Sequence, residues 1–375
     1  MFLRSYLIHC KSHNVSMNPI RLLRILSVSL IFGISGSAEV PESAFNKNPY
    51  PLEKGPVKVF ILAGQSNMQG HASLRTLEYL IYNEETAGQY EQWKDREGRW
   101  VERRDVWIWT SDGKRSGNLK PGFGASEMEI GPELGFGWNM GKQLGEQVLL
   151  IKTCWGGRSV KKDFLPPSAE MPSDEVVEKD LERARKRKPE TSLEDIRGQY
   201  GKAYRDMILH VQDVLGNLPE LFPDYDGKAG YELAGFVFFQ GWNDMVDGEQ
   251  REEKYFHYTE RLTQMIKDVR RDLKAPALPV IIGELGAGGK RGDFQSAQES
   301  ATKHPEFQGN VIFVKTSDFW EPEVEKIVND GIWKGSDWVR FYNVGSDRGY
   351  HYLGSAGIYC KIGNAFAEAM LQLIK

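Results

Sequence analysis

The sequence contains little cysteine. Three cysteines occur in 375 residues, and Cys10 belongs to an N-terminal segment that we expect to be removed. The two that remain are too few for a disulfide framework. Cys154 ends an apolar run and Cys360 lies on an apolar helical face. We therefore expect both to be buried, unpaired thiols, and we assign them no catalytic role.

Long apolar runs and a strong net charge are also missing. After the N-terminal segment, no stretch of the sequence reaches about 18 consecutive apolar residues, the length that a membrane-spanning helix needs. The net charge of -4 gives no field that would hold a phosphate backbone, which argues against nucleic-acid binding. The charged run 179–188 interleaves acidic with basic residues, so it predicts a solvated helix rather than a binding patch.

The N-terminal segment has the composition of a signal peptide. Arg21 and Arg24 precede an apolar run at 25–34, and small residues follow it at 36–38. We expect a signal peptide at 1–38, with Met17 as an alternative start and an uncleaved anchor as the alternative interpretation. The mature chain, 39–375, would then be a single domain, secreted or periplasmic, with no stable membrane insertion. No feature of the sequence predicts an oligomeric state.

Five short apolar and β-branched runs predict buried strands. Continuous runs of this kind are typical of a parallel sheet that is covered on both faces. Helix-like stretches lie between and after them, at 201–215, 253–273 and 355–374. The alternation predicts an α/β fold in three layers, a doubly wound sheet of about five parallel strands. The predicted strands are 57–62, 148–152, 234–239, 278–282 and 311–314.

Two long insertions interrupt this pattern, near 73–129 and 163–200. The first is rich in Trp, Glu, Arg and Gly, and it holds a further short apolar piece at 106–109. Its tryptophans could form a wall that faces a sugar, although packing is the more common fate of tryptophan. These tryptophans are Trp93, Trp100, Trp107 and Trp109.

A candidate nucleophile follows the first predicted strand. In the segment Gly64-Gln65-Ser66-Asn67-Met68, Ser66 would lie at the carboxyl end of that strand, where open α/β sheets place their sites. A sharp turn there can expose a serine oxygen, which a base must activate before it attacks. The alternative is a helix N-cap, for which serine and asparagine are preferred.

Two further turns could supply an oxyanion hole. The second strand runs into Trp155-Gly156-Gly157, where a glycine N–H could stabilise a developing oxyanion, and a tight turn without a ligand is the alternative. The third strand runs into Gln240-Gly241-Trp242-Asn243-Asp244, where Asn243 is the candidate side-chain donor. Asp244 could instead cap the next segment, and Trp242 could be a sugar platform or part of the core.

The candidate base lies just before the last helix. His351 could accept the serine proton and return it to the leaving group, and Asp347 could bind Nδ1 and fix the tautomer. His71 is a closer rival than the other histidines because it follows Ser66 in the same turn, although we expect it to point along the next segment. We expect structural roles for His210, His257 and His304.

At these four clusters the sequence resembles the SGNH hydrolases, and most closely the branch of sialate O-acetylesterases and plant-type acetylxylan esterases. Further similarity lies at 130–135 and 279–286. The resemblance implies a flavodoxin-like fold with Ser66 as nucleophile and an oxyanion hole from Ser66, Gly157 and Asn243, with Gly156 as the alternate glycine. It implies His351 from a late Asp-x-x-His motif, an acetylated carbohydrate as substrate, and neither metal nor organic cofactor. We assign substrate contacts to Gln65, Asn67, Gln240 and Trp242.

One feature departs from the family pattern. Asp347 and His351 are four positions apart, where the family has three. A bulge could absorb the extra residue, Asp337 could orient the histidine instead, or a backbone carbonyl could hold it in a Ser–His dyad. The leading hypothesis is a secreted carbohydrate O-acetylesterase of sialate or xylan type. A non-catalytic glycan-binding module that retains the fold is the alternative, and a generic lipase is a weaker third.

Overall fold

The computed structural model describes residues 55–247, 251–333 and 338–374. The predicted signal peptide and the alternative orienting residue Asp337 lie outside the described residues, so both stay predictions. Within the described chain there are nine strands. They are β1 (Val57–Gly64), β2 (Ala72–Ser73), β3 (Arg103–Thr110), β4 (Ser116–Leu119), β5 (Glu129–Ile130), β6 (Val148–Cys154), β7 (Tyr231–Phe239), β8 (Val280–Gly283) and β9 (Val311–Val314).

Seven of these strands form one sheet in the order β4-β3-β6-β1-β7-β8-β9. All neighbouring strands are parallel except β4, which pairs antiparallel with β3 at the edge. The predicted α/β class with a doubly wound, mostly parallel sheet is confirmed, and each of the five predicted strands is present. The sheet is larger than predicted because β3 and β4, both from the first insertion, extend it on one side.

Helices connect the strands and cover both faces of the sheet. The predicted helix-like stretches correspond to α7, α10 and α14, each within two residues of the predicted bounds. The helices are α1 (Ser66–Gln69), α2 (Leu74–Tyr82), α3 (Ala87–Tyr90), α4 (Pro132–Leu144), α5 (Asp174–Arg185), α6 (Leu193–Gln199), α7 (Lys202–Gly216), α8 (Leu218–Leu221), α9 (Trp242–Met245), α10 (Arg251–Asp272), α11 (Asp293–Thr302), α12 (Pro322–Trp333), α13 (Trp338–Val344) and α14 (Ala356–Ile374), with 3-10 turns at Glu91–Trp93, Pro305–Phe307, Thr316–Phe319 and Gly349–Gly354.

Alternate residues of the strands build two separate cores. Successive side chains of a strand point to opposite faces, so Phe60 and Leu62 pack with α4 and α14 while Val59 and Ile61 pack with α7 and α10. The central strands are therefore apolar at nearly every position, which is the pattern that the sequence displays. Both Cys154 and Cys360 are buried and unpaired, as predicted. Among the described helices, none combines the length and the apolar character that crossing a membrane requires.

The two insertions have different structures. The first contains α2, α3, β3 and β4, and its ends are joined by the short antiparallel ladder of β2 with β5. Its tryptophans pack against the two cores, Trp93 and Trp107 being buried and Trp100 and Trp109 partly buried, so packing, the more common fate of tryptophan, is what the structure shows. The second contains α5 and α6, and in α5 Val177 alone is buried. The charged run at 179–188 is thus the predicted solvated helix, held by ion pairs such as Lys179 with Glu175.

The register of the sheet brings three loops together. Gly64 at the end of β1 pairs with Cys154 at the end of β6 and with Phe239 at the end of β7. The segments that follow these strands therefore start from the same edge, the edge at which open α/β sheets place their sites. These segments hold the three turns that the sequence singled out.

Candidate active site

Ser66 is the first residue of α1, which directly follows the turn at the end of β1. Gly64 has φ +149°, and a Cβ there would lie 2.1 Å from the Phe239 carbonyl oxygen, so only glycine fits. Gln65 is buried, and its Oε1 accepts a hydrogen bond of 3.1 Å from the Gly241 N–H. Ser66 thus opens a helix whose first turn is bonded to the neighbouring strand.

A buried ion pair lies beneath this turn. The Lys152 Nζ donates to the Gln69 carbonyl oxygen at 2.7 Å and to the Phe123 carbonyl oxygen at 2.6 Å. It also pairs with Glu133 Oε2 at 2.8 Å, and Glu133 Oε1 accepts from the Gly131 N–H at 2.8 Å. Both charged side chains are 1% exposed, which is tolerated because each is fully hydrogen-bonded. The family-like stretch 130–135 therefore supports the turn that carries Ser66.

Asn67 connects the serine turn to the histidine segment. Its Nδ2 donates to the Tyr350 carbonyl oxygen at 3.1 Å, and its Oδ1 accepts from the Tyr359 hydroxyl at 3.1 Å. The side chain is only 1% exposed. The amide therefore binds the residue before His351, and a direct substrate contact, as predicted for Asn67, does not fit this position.

The glycine turn after β6 lies beside Ser66. A Cβ at Gly156 would come within 3.9 Å of Ser66 Cβ and within 3.2 Å of Gln69 Oε1. Gly157 has φ +71°, and a Cβ there would meet open space. In the described part of the chain, neither glycine N–H donates a hydrogen bond to protein. The peptide that joins these two glycines is thus a free donor next to the serine side chain.

The turn after β7 is bonded to this glycine turn. Gln240 Nε2 donates to the Arg158 carbonyl oxygen at 2.8 Å and to Asp244 Oδ2 at 2.6 Å. Asp244 in turn accepts from the N–H groups of Val160 at 2.9 Å and Lys161 at 3.0 Å. Gln240 and Asp244 are both buried, so they connect the two turns instead of facing a substrate. The predicted substrate contact of Gln240, like that of Gln65, does not fit this position.

Burial also raises the pKa of the Asp244 carboxyl. Desolvation raises the pKa of this carboxyl to about 6, although the hydrogen bonds from Val160, Gln240 and Lys161 oppose the shift. The neighbouring residue Asn243 is half-buried, and its side-chain amide has no hydrogen-bond partner among the described residues. Asp244 therefore holds the turn while Asn243 keeps a free donor.

His351 lies in the 3-10 turn Gly349–Gly354, ahead of α14. Its Nδ1 is 2.9 Å from Asp347 Oδ2, and Asp347 Oδ1 accepts from the Arg348 N–H at 2.6 Å. Partial burial raises the pKa of Asp347, but the hydrogen bonds from His351 and Arg348 outweigh it and hold that pKa below its usual value. The spacing of four positions thus brings the carboxylate to the imidazole within one turn, and no hydrogen bond of the described residues occupies His351 Nε2.

The backbone after His351 is strained. Tyr352 and Leu353 have φ values of +49° and +62°, in the left-handed region that non-glycine residues seldom adopt. The buried Tyr352 hydroxyl accepts from the Gly286 N–H at 2.8 Å and lies 2.6 Å from Thr316 Oγ1. These bonds hold the strained conformation from the side of β8. The family-like stretch 279–286 therefore supports the histidine segment.

His71 stacks on His351. The ring centroids are 4.1 Å apart and the ring planes differ by 9°. His71 Nδ1 lies 3.5 Å from Glu129 Oε1 and 3.9 Å from Asp347 Oδ2. His71, Asp347 and His351 offer potential metal ligands within 4.8 Å of one another. However, an imidazole lone pair lies in the plane of its ring, so two stacked parallel rings do not direct their lone pairs at one ion.

An aromatic pair borders the site, with Tyr350 exposed and Trp242 half-buried. Trp242, from the turn after β7, and Tyr350, from the histidine segment, have ring centroids 5.5 Å apart. Tyr350 also packs edge-on against His351 at 4.5 Å and is 41% exposed. Trp242 is thus the predicted substrate contact whose position leaves it accessible. A polar groove of about 710 Å³ adjoins the same edge, lined among others by Ser159, Lys161 and Asp247.

Sequence reasoning missed several residues of this site. The residues are Glu129, Glu133, Lys152, Tyr350 and Tyr352. For Lys152 and Glu133 the sequence did contain a signal. A lysine in an apolar strand and a glutamate in a Gly-Pro-Glu stretch are each costly to bury alone, which predicts that they pair. Glu129 and Tyr352 carry no such local signal because their partners are distant in sequence.

A comparison with protein families gives one match. The sequence profile of a family described as carbohydrate esterase, sialic acid-specific acetylesterase, matches residues 56–323. No curated protein matches. Among solved structures, the Arabidopsis thaliana protein AT4G34215 is 16% identical, and the match covers 85% of this chain and 100% of that one with a TM-score of 0.48.

Two further solved structures are similar to this chain. XAC1771, a carbohydrate acetylesterase from Xanthomonas citri, is 13% identical over 74% of this chain and 57% of that one, with a TM-score of 0.40. NanS is 15% identical over 70% of this chain and 78% of that one, with a TM-score of 0.41.

Proposed function

Since the chain belongs to the carbohydrate esterase family of sialic acid-specific acetylesterases, we propose that it removes acetyl groups from carbohydrates by serine catalysis. Ser66 is the nucleophile, His351 the base and Asp347 the carboxylate that orients it. The observation that carries the proposal is the placement of His351. Its Nδ1 is bonded to Asp347 at 2.9 Å, and the segment before it is bonded to Asn67, the residue next to Ser66.

The reaction proceeds in two halves. His351 Nε2 takes the hydroxyl proton while Ser66 Oγ forms a bond to the acetyl carbonyl carbon. The tetrahedral intermediate collapses as His351 returns the proton to the sugar oxygen, which leaves as an alcohol. Water, activated by the same imidazole, then attacks the acetyl-serine and releases acetate. Apo sites often show the nucleophile and base without their hydrogen bond, which forms with substrate bound.

The oxyanion is stabilised by donors that the fold leaves free. The proposed donors are the N–H groups of Ser66 and Gly157 and the side chain of Asn243, with the Gly156 N–H as the alternate donor, and they belong to the three turns that start from one sheet edge. Helix α1 begins at Ser66, so its first N–H groups have no partner within the helix. Donors fixed in this way stabilise the transition state strongly because they need no reorganisation.

The carbohydrate part of the substrate binds on the aromatic pair of Trp242 and Tyr350. The apolar face of a sugar ring packs well on an exposed aromatic ring, and both rings border the proposed base. We expect Tyr350→Ala to raise KM for an acetylated xylo-oligosaccharide or acetylated sialic acid about tenfold. KM for p-nitrophenyl acetate, which has no sugar ring, should change little. An equal effect on both substrates would contradict this placement.

The substitution Ser66→Ala tests the mechanism. We expect kcat/KM for p-nitrophenyl acetate and for acetylated sugars to fall by at least about 10⁴-fold, because no other nucleophile is available in this mechanism. Wild-type protein should be labelled stoichiometrically at Ser66 by a fluorophosphonate, which reacts only with an activated serine. Normal activity in Ser66→Ala, or binding of glycans without labelling, would instead support the non-catalytic glycan-binding module. Preference for long-chain over short-chain esters would support a lipase.

A further inference from the structure

His71 occupies a place that the proposed mechanism does not use. Its ring lies flat against His351, with centroids 4.1 Å apart, and its Nδ1 faces two carboxylates. Glu129 Oε1 is 3.5 Å from that nitrogen, and Asp347 Oδ2 is 3.9 Å from it. All of these side chains are partly buried. The proposed base and its carboxylate are therefore in contact with a second imidazole and a second carboxylate.

The backbone holds His71 and Glu129 in place from two directions. His71 directly precedes β2, and β2 pairs with β5 so that Ser73 lies opposite Glu129. Ser346 Oγ donates to the His71 carbonyl oxygen at 3.1 Å and accepts from the Ser73 N–H at 3.0 Å. Ser346 is the residue before Asp347. The two ends of the first insertion are thus paired with each other, and this pairing places Glu129 beside His71.

The carboxylates of Glu129 and Asp347 are close enough to affect each other. Glu129 and Asp347 repel each other, and Glu129 is half-buried. Desolvation raises the pKa of Glu129, but hydrogen bonds from His71 and Ser126 outweigh it and lower that pKa below its usual value. Both carboxylates are therefore ionised at neutral pH. His71 Nδ1 lies within 4 Å of both carboxylates, and an N–H at this nitrogen would offset their repulsion.

We propose that His71, held by Glu129, is a positioning residue for the His351–Asp347 pair. The inference rests on the proposed function, since it assigns a role toward the proposed base. The flat contact prevents the His351 ring from rotating out of the plane in which Nδ1 meets Asp347. Nδ1 of His71, 3.9 Å from Asp347 Oδ2, reduces by electrostatic attraction the repulsion that Glu129 exerts on the Asp347 carboxylate. His71 itself takes no proton from Ser66.

The test separates the electrostatic contact of His71 Nδ1 with the two carboxylates from the ring contact with His351. His71→Phe keeps a flat ring against His351 but removes the donor, and Glu129→Gln removes the charge that holds His71. We expect each to lower kcat for p-nitrophenyl acetate about 10- to 100-fold with little change in KM, since a base misplaced by about 1 Å loses that much. The double variant should lose no more than the worse single variant, because both act through Asp347.

His304→Phe is the matched control, because His304 caps a 3-10 turn ahead of β9 and lies outside the site. It should keep the wild-type kcat. The inference is overturned if His71→Phe and Glu129→Gln both keep the wild-type kcat, or if their losses add in the double variant and follow the melting temperature. If His71→Phe does not fold, kcat of the nearly isosteric Glu129→Gln decides alone. Ser66→Ala, assayed in parallel, reports separately on the proposed function.

Discussion

The turn that carries Ser66 and the segment that carries His351 are held by different means. The serine turn continues a central strand, is bonded to the next strand through Gln65, and lies on the buried pair of Lys152 with Glu133. The histidine segment continues no strand. Its backbone is left-handed at two consecutive residues and is held there by the hydroxyl of Tyr352.

The two stretches that support the site, 130–135 and 279–286, act on different parts of it. The stretch 130–135 contributes Glu133, which acts beneath Ser66, and the stretch 279–286 contributes Gly286, which binds Tyr352 next to His351. One half of the proposed machinery depends on a buried charge pair, the other on hydrogen bonds that hold strained backbone, the Tyr352 hydroxyl among them. A substitution can remove either support and leave the other intact.

The largest effect should come from the charge pair beneath the serine turn. Lys152→Met leaves the buried Glu133 side chain without its cation, and we expect the free energy of unfolding to fall by about 3–5 kcal/mol. Chemical denaturation measures this directly. Lys179→Met, in the exposed pair with Glu175, is the matched control and should cost less than about 1 kcal/mol. Adding Glu133→Gln to Lys152→Met should recover part of the loss, and no recovery would contradict the charge argument.

The effect of intermediate size concerns Asp244, in the turn that also holds Asn243. The folded protein raises the pKa of Asp244 from 3.8 to about 6, so the folded state binds its proton more tightly than the unfolded chain does. The contribution of Asp244 to stability therefore falls as pH rises through this interval, by about 3 kcal/mol in all. Asp244→Asn does not titrate. Relative to this variant, the wild type should lose unfolding free energy between pH 4 and pH 6, and parallel curves would contradict the assignment.

The smallest of the three effects should come from the histidine segment. Tyr352→Phe removes one of the two acceptors of the Gly286 N–H, which keeps Thr316 Oγ1 at 3.1 Å, and we expect a loss of about 1 kcal/mol in unfolding free energy. Because the same hydroxyl stabilises the left-handed backbone after His351, kcat should fall about tenfold while KM changes little. Tyr82→Phe, at an exposed tyrosine, is the control and should alter neither. An unchanged kcat in Tyr352→Phe would show that the segment does not depend on this hydroxyl.

Most of the sheet could be predicted because its central strands are buried on both faces. That burial requires an unbroken apolar run, and each of the five runs became a strand. The strands β3 and β4 were missed for physical reasons. β3 begins with Arg103 and Asp105, charged residues that are buried only because they pair with each other. β4 is an edge strand with a polar sequence, and an edge needs only one neighbour.

The candidate site could be predicted in part. Serine, glycine and asparagine at the ends of three strands were recognisable, since parallel strands bring their carboxyl ends to one edge. The substrate contacts predicted for Gln65, Asn67 and Gln240 do not fit their buried positions. The sequence of a turn does not distinguish a side-chain amide that faces a ligand from one that binds a neighbouring loop.

The sequence by itself determined the class of fold, the strand ends at which Ser66, Gly157 and Asn243 stand, and His351 as the leading candidate base. These follow from local pattern and from motifs of a few residues. Only the tertiary structure decided that Asp347 reaches His351 across four positions and that Glu129 and His71 stand beside them. The contacts of His71 with Asp347 and His351 join segments more than two hundred residues apart, and only the packed chain brings them together.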